Sequence, residues 1–96
     1  MSIKPDDIII KNPNIAQRLF EERMLVITAK DSMLHRFNEV GTHIWQILDN
    51  NLSVKEICNS IKENFEGFDP IKDYNDIISF LDTLEKKHLI MISKSD

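Results

Sequence analysis

Few side chains in this sequence could do acid-base or metal chemistry near neutral pH. His35, His43 and His88 are its three histidines, and imidazole is the group whose ordinary titration falls between pH 5 and 8. Their spacing assembles nothing: there is no H-E-x-x-H pair on one helix face and no C-x-x-C to gather a metal. The two glycines, Gly41 and Gly67, stand 26 positions apart, so no glycine-rich loop can cradle phosphate. Cys58 is the single cysteine. It cannot close an internal disulfide or a structural zinc site, and its place on an apolar helix face without a basic neighbour reads as a small core hydrophobe rather than a nucleophile. With no convergent polar cluster, the chain reads as a non-catalytic protein that needs neither metal nor cofactor.

If the protein works by binding, composition narrows the partner. Ninety-six residues, 42% of them apolar, suffice for one domain with one modest core. Sixteen acidic against twelve basic side chains leave a formal charge of −4, which opposes nucleic acid and anionic membrane surfaces. The run Ile8-Ile9-Ile10 is too short for a signal peptide or a bilayer span. A lone cysteine in so short a chain fits the cytoplasm.

The elements that would position a binding surface can be read from periodicity and breakers. Pro5 and Pro13 bracket the first apolar run, so residues 1–14 read as an extended N-terminal arm ahead of a domain over 15–92. Ile15 to Phe20 and Met24 to Ala29, where Val26, Ile27 and Thr28 are β-branched, read as a hairpin across Glu21-Glu22-Arg23. After a turn at Lys30-Asp31-Ser32, Met33 to Phe37 is a third strand. At Asn38 the period changes to about 3.6. Asn38 caps a first helix to about Asp49, with Val40, Ile44, Ile47 and Leu48 on one face. Trp45 lies about 100° from Ile44, which allows either packing under the N-terminal segment or partial exposure as a contact. Ser53-Val54-Lys55-Glu56 matches a reciprocal capping box for a second helix that Gly67 would end. Asp73 begins a third helix with a wide stripe of Tyr74, Ile77, Leu81, Leu84 and His88, flanked by Ile78 and Phe80. Leu89 to Ile92 is a short extended tail. The expected fold is α+β and winged-helix-like: a three-stranded antiparallel sheet followed by three helices.

Two architectures share that outline, and the third helix decides between them. A winged-helix DNA reader needs arginine or lysine on this helix to neutralise phosphates. Asp73, Asp76, Asp82 and Glu85 stand there instead, so a DNA-binding regulator is the weaker reading. The same wide stripe beside a sheet that must end in an unpaired strand describes a groove for an extended peptide. A further alternative is a homodimeric scaffold whose Ile8-Ile9-Ile10 pairs with a neighbour's edge strand.

The run Arg36-Phe37-Asn38-Glu39-Val40-Gly41-Thr42-His43-Ile44-Trp45-Gln46-Ile47-Leu48-Asp49 resembles the PqqD family, whose members show R-[LF]-N-E-x-G-x-x-[IL]-[WL]-x-[LI]-L-[DC] where sheet meets first helix. Leu52 to Ile57 is similar to the family's turn into helix 2. Asp76 to Leu84, with His88-Leu89-Ile90, is similar to its D-[VI]-x-x-F-L-x-x-L ending. The similarity spans about Ile15 to Ile92. Phe37 replaces the commoner leucine, and His88 stands where a small residue often ends the third helix.

The resemblance implies a recognition element for ribosomally made, post-translationally modified peptides. Such a domain binds the leader of a precursor peptide as a strand added to the sheet's third strand and presents it to a modifying enzyme. That enzyme is a radical S-adenosylmethionine enzyme in pyrroloquinoline quinone assembly and a leader peptidase in lasso-peptide assembly. On this sequence the implied peptide edge is Met33, Leu34, His35, Arg36 and Phe37, and the groove wall is drawn from Ile77, Phe80, Leu81 and Leu84. His35 and Phe37 share one strand face, Leu34 and Arg36 the other. With Phe37 turned inward, Arg36 would be free for an acidic leader residue or simply solvated. A proline at His35 would weaken binding if that residue's N–H faces outward.

Overall fold

The computed structural model describes residues 3–28 and 32–94. In chain order it contains β1 (Ile8–Lys11), β2 (Ile15–Phe20), β3 (Arg23–Thr28), β4 (Leu34–Arg36), α1 (Glu39–Ile47), a 3-10 turn at Leu48–Asn50, α2 (Val54–Asn64), α3 (Tyr74–Lys86) and β5 (Ile90–Ser93). Met1, Ser2, Ala29 at the expected end of the second strand, and Lys30 and Asp31 of the expected turn lie outside the described residues.

The α+β class and the β2-β3-β4 antiparallel meander follow the sequence pattern, but the sheet arrangement differs from a lone three-stranded sheet before the helices. A second, two-stranded sheet joins the chain's two ends: β1 pairs antiparallel with β5, Ile9 opposite Ile92 and Lys11 opposite Ile90. Both segments are rich in β-branched residues, which suit a pleated surface, and pairing them satisfies main-chain groups while Ile9 and Ile90 enter the core. The residues read as an arm are therefore extended, with that extension used inside the molecule.

The segment before β1 also completes α2. The first N–H groups of a helix have no intrahelical acceptor. Here Val54 N–H donates to the Asp7 carbonyl at 3.0 Å and Lys55 N–H to the Pro5 carbonyl at 2.9 Å. The capping box supplies the rest. Glu56 N–H donates to Ser53 Oγ at 3.1 Å, and Ser53 N–H donates to Glu56 Oε1 at 2.9 Å. The Ser53 N–H bond to the ionised carboxylate, with the Ser53 hydroxyl beside it, holds Glu56 below the usual carboxylate range.

Helix ends fall slightly earlier than the breakers suggest. α2 stops at Asn64, and Gly67 takes its positive φ of 81° in the turn beyond. Asp73 sends its carboxylate to Asp69 N–H at 3.0 Å rather than into its own helix. α3 closes with the paired bonds of a Schellman motif: Leu89 N–H donates to the Leu84 carbonyl at 2.9 Å and His88 N–H to that of Glu85 at 3.0 Å. His88 fills the left-handed position of that motif at φ 62°, the place a glycine usually takes. Its side chain is exposed, not partly buried in the stripe. The core gathers Val26, Ile44, Leu48, Val54, Ile57, Ile61, Leu81 and Leu89, all essentially inaccessible.

Candidate functional site

β4 is an edge strand, and its hydrogen-bond phase settles which main-chain groups it offers. Phe37 N–H donates to the Met24 carbonyl at 3.0 Å, and Thr28 N–H donates to the Met33 carbonyl at 3.2 Å. Residues facing each other across an antiparallel pair alternate between bonded and non-bonded. With Val26 opposite His35, the residues of this strand bonded to β3 are thus 33, 35 and 37. The N–H and C=O of Leu34 and Arg36 point away from β3. His35 therefore has its donor on the inner ladder, which removes the reason to expect a proline there to act on an outside strand.

The same register separates the side chains. Phe37 turns inward and is buried, its ring 5.6 Å from those of Trp45 on α1 and Phe80 on α3. His35, half-buried, and Met33, half-exposed, lie on that inner face toward the helices. Leu34 and Arg36 lie on the outer face, both exposed. Of the four α3 residues expected in a groove wall, Ile77, Leu81 and Leu84 are packed in the core at 5%, 0% and 2% exposure. Phe80, half-buried, keeps surface to offer. The arrangement that emerges is a main-chain rim at Leu34 and Arg36, an inner row of Met33 and His35, and Phe80 beside the end of that row.

The segment from Asn38 to Asp49 builds the corner behind this edge. Asn38 Oδ1 accepts from Gly41 N–H at 2.8 Å and caps α1. Met24 N–H, at the end of the β3 ladder, donates to Thr42 Oγ1 at 3.0 Å, so a helix side chain takes over where the sheet stops. Gly41 is the point of closest approach. A Cβ built there would stand 3.2 Å from each of Asn38 Oδ1, Phe37 Cβ and the tip of the Phe80 ring. Gly41→Ala should therefore lose about 1–2 kcal/mol despite alanine's better helix propensity, since overpacking typically costs about 1–3 kcal/mol. Chemical denaturation measures this, and a variant more stable than the wild type would show that the Phe80 ring has room to move.

Trp45 is fully buried rather than a contact surface. Its Nε1–H donates to Gln17 Oε1 at 2.7 Å, and the Lys11 ammonium lies 4.8 Å from the ring centroid. Lys11 in turn pairs with Asp49 at 2.8 Å. One indole thus ties β1, β2, α1 and the 3-10 turn together, and packing under the N-terminal segment is the role it has.

The remaining titratable candidates lie in structural surroundings. His43 Nε2 is 2.9 Å from Ser60 Oγ, its ring stands edge-on to Phe65, and burial lowers its pKa. Burial raises the Cys58 thiol, which stays protonated in the core. Among the described residues, no three His, Cys, Asp or Glu side chains converge as metal ligands, and no helix is long and apolar enough to cross a membrane. A cleft of about 490 Å3 lined by Ile3, Tyr74, Ile78, Ser79, Asp82 and Lys86, among others, follows another flank of α3 from that of Phe80.

Comparison with known proteins bears on this geometry. The family model described as Coenzyme PQQ synthesis protein D (PqqD) matches residues 22–90. Among solved structures, TbiB1 in complex with the TbiA(beta) leader peptide superposes with a TM-score of 0.78 at 18% identity. The match covers 91% of this chain and 99% of that one. Lasso peptide synthetase B1 complexed with the leader peptide superposes with a TM-score of 0.74 at 14% identity, covering 86% and 96%. At these identities the likeness is one of fold. No curated protein matches the chain significantly.

Proposed function

The chain belongs to the PqqD family, and from that premise we propose that it is a non-catalytic recognition protein for a ribosomally made precursor peptide. It takes the leader as an added strand on the outer rim of β4 and presents the attached core to a modifying enzyme. The observation that carries this reading is the rim itself: Leu34 and Arg36 direct their main-chain donors and acceptors away from β3, on a strand at the edge of its sheet. Main-chain pairing of this kind accepts almost any sequence, and alternate side-chain sites discriminate.

Each net hydrogen bond contributes only about 0.5–1.5 kcal/mol, against roughly 1.5–3 kcal/mol for a large apolar side chain fully buried. Discrimination therefore falls to apolar leader residues that pack on Phe80, Met33 and His35. Leader residues of the opposite parity lie on the outer sheet face beside Leu34 and Arg36, where an acidic side chain meets the guanidinium. Both solved structures compared above are leader-peptide complexes, which supports the same assignment. Both a radical S-adenosylmethionine enzyme and a leader peptidase fit as the recipient.

Titration of the 15N-labelled protein with the leader of the precursor encoded beside it tests the proposal. Amide shifts should concentrate at residues 33–37 and around Phe80 on α3. Shifts confined to β1, β5 and α2, or none at saturating leader, would overturn it.

A further inference from the structure

The three arginines of this chain, Arg18, Arg23 and Arg36, come from three different strands and share one surface. Register places Arg18 opposite Leu25 and Leu25 opposite Arg36, so these three form one cross-strand row. Ala16, Ile27 and Leu34 form the next row on one side, and Phe20 with Arg23 the row on the other. Alternation along each strand sends all of them to the outer face of the β2-β3-β4 sheet, opposite the core. Phe20, Ile27 and Leu34 are 48%, 40% and 58% exposed there. None of the three guanidinium groups enters an ion pair with another described residue, and the outward strand positions of this sheet carry no acidic residue, although half-buried Arg23 also lines a recess with Glu21, Glu22 and Glu39 at the hairpin end.

That combination is unusual on a molecule whose charge is −4. Elsewhere on the chain the lysines are mixed with, and outnumbered by, carboxylates. At the outward ladder positions here, the charged side chains are all arginines and stand beside exposed apolar ones. Arginine with aromatic and aliphatic neighbours is the composition of interface centres, and its planar fork suits bidentate capture of carboxylates.

We propose that the outer sheet face docks an acidic, apolar-centred surface of the enzyme that acts on the leader-bound peptide. The inference rests on the leader reading above and adds the surface by which the complex is read. A leader strand added to β4 continues the same face, so an enzyme docked on the arginines lies next to the substrate. Three strands spaced about 4.8 Å apart and about six residues long give a face on the order of 300 Å2, well short of the roughly 800 Å2 per partner of a standard interface. The face alone makes a transient contact, and the added leader strand enlarges it. Enzyme affinity therefore rises when leader is bound.

The test uses the full chain, the purified modifying enzyme encoded beside it, and the double variant R18E/R23E. These two positions lie on β2 and β3, away from the β4 rim. Biolayer interferometry should show the wild type binding the enzyme more tightly with leader than without, and more weakly as salt is added. R18E/R23E should lose about 30-fold or more in enzyme affinity, with the neutral R18Q/R23Q between them. Fluorescence anisotropy of labelled leader should be unchanged within about twofold in both variants, which separates this surface from the rim and reports folding at the same time.

Equal enzyme affinity in wild type and R18E/R23E would overturn the proposal. So would a wild-type dimer that R18E/R23E converts to monomer in sedimentation, which would give the face to a second copy. Binding of a single-stranded oligonucleotide at physiological ionic strength, lost in the same variant, would give it to nucleic acid. Failure of the wild type to bind leader would instead strike the reading on which this one rests.

Discussion

Proline in place of Leu34 or of Arg36 should leave the protein folded and weaken leader binding about tenfold, whereas proline in place of His35 should disrupt the sheet itself. The contrast comes from the phase of the β3–β4 ladder. Phe37 N–H and the Met33 carbonyl are both bonded to β3, which puts the donor of residue 35 on the inner ladder and those of residues 34 and 36 on the rim. Proline is compatible with an edge strand when the lost N–H faces solvent. At 34 or 36 it removes a group without an internal partner, and the cost appears when a leader strand needs that donor. A net hydrogen bond of about 1 kcal/mol, together with the misfit of a ring against the incoming strand, corresponds to about one decade in affinity.

At 35 the same substitution leaves the Val26 carbonyl without its donor beneath the sheet. Met24 and Val26 are core residues, so loosening β4 from β3 opens the core between them and Phe37. Anisotropy with labelled leader and thermal unfolding, measured on the three variants together, read this out. If Leu34→Pro and Arg36→Pro bind as the wild type does, the leader does not add to this rim by main-chain pairing. If His35→Pro melts like the wild type while losing affinity, the ladder phase is the reverse of the one described.

The parts legible in the sequence are those whose cause is local. The capping box at Ser53 and Glu56 needs two residues three apart, and both of its hydrogen bonds are present. The N-E-x-G run reads as a helix start because Asn38 caps it, though the demand for glycine at 41 comes from Phe80 as well as from Asn38 and Phe37, and the Phe80 contact is one no local pattern announces. The pairing of β1 with β5 lies beyond such reading, because its partners are about as far apart in the chain as two residues can be. Each segment on its own is only an apolar run near a terminus. Trp45 looked marginal on α1 considered alone and is buried because Lys11 and Gln17 arrive from other strands to cover it.

The third helix shows the same limit at the candidate site. Its wide stripe of Ile77, Phe80, Leu81 and Leu84 identifies an apolar face. A stripe does not say which part the core consumes, and three of the four are consumed, leaving Phe80 at the margin. Strand alternation likewise offered two faces for Arg36. Only the register against Val26 puts it outside, in line with Arg18 and Arg23.

Deleting residues 1–11 should leave a chain that no longer unfolds cooperatively, although the residues matched by the family, 22–90, would all remain. Ile9 is wholly buried and Ile3 nearly so, and the deletion strips the β5 ladder of its partner strand. Val54 and Lys55 lose the carbonyls of Asp7 and Pro5, so the first turn of α2 loses two acceptors at once. Lys11 leaves the face of Trp45 and Asp49 loses its ion pair. The Lys11–Asp49 pair, with its carboxylate exposed, adds at most about 1 kcal/mol; the other losses are each worth about one to a few kcal/mol, and together they rival the whole 5–15 kcal/mol that holds a domain of this size folded.

The single substitution Ile9→Ala isolates the packing part. It should cost about 2–4 kcal/mol and lower Tm by on the order of 10–25 °C, while leader affinity well below the new Tm stays near wild type because β1 and β4 belong to different sheets. Circular dichroism melts and 15N spectra of both variants decide. A truncated chain that keeps a sharp transition within a few degrees of the wild type would return residues 1–11 to the status of a dispensable arm and leave them available for a partner's edge strand.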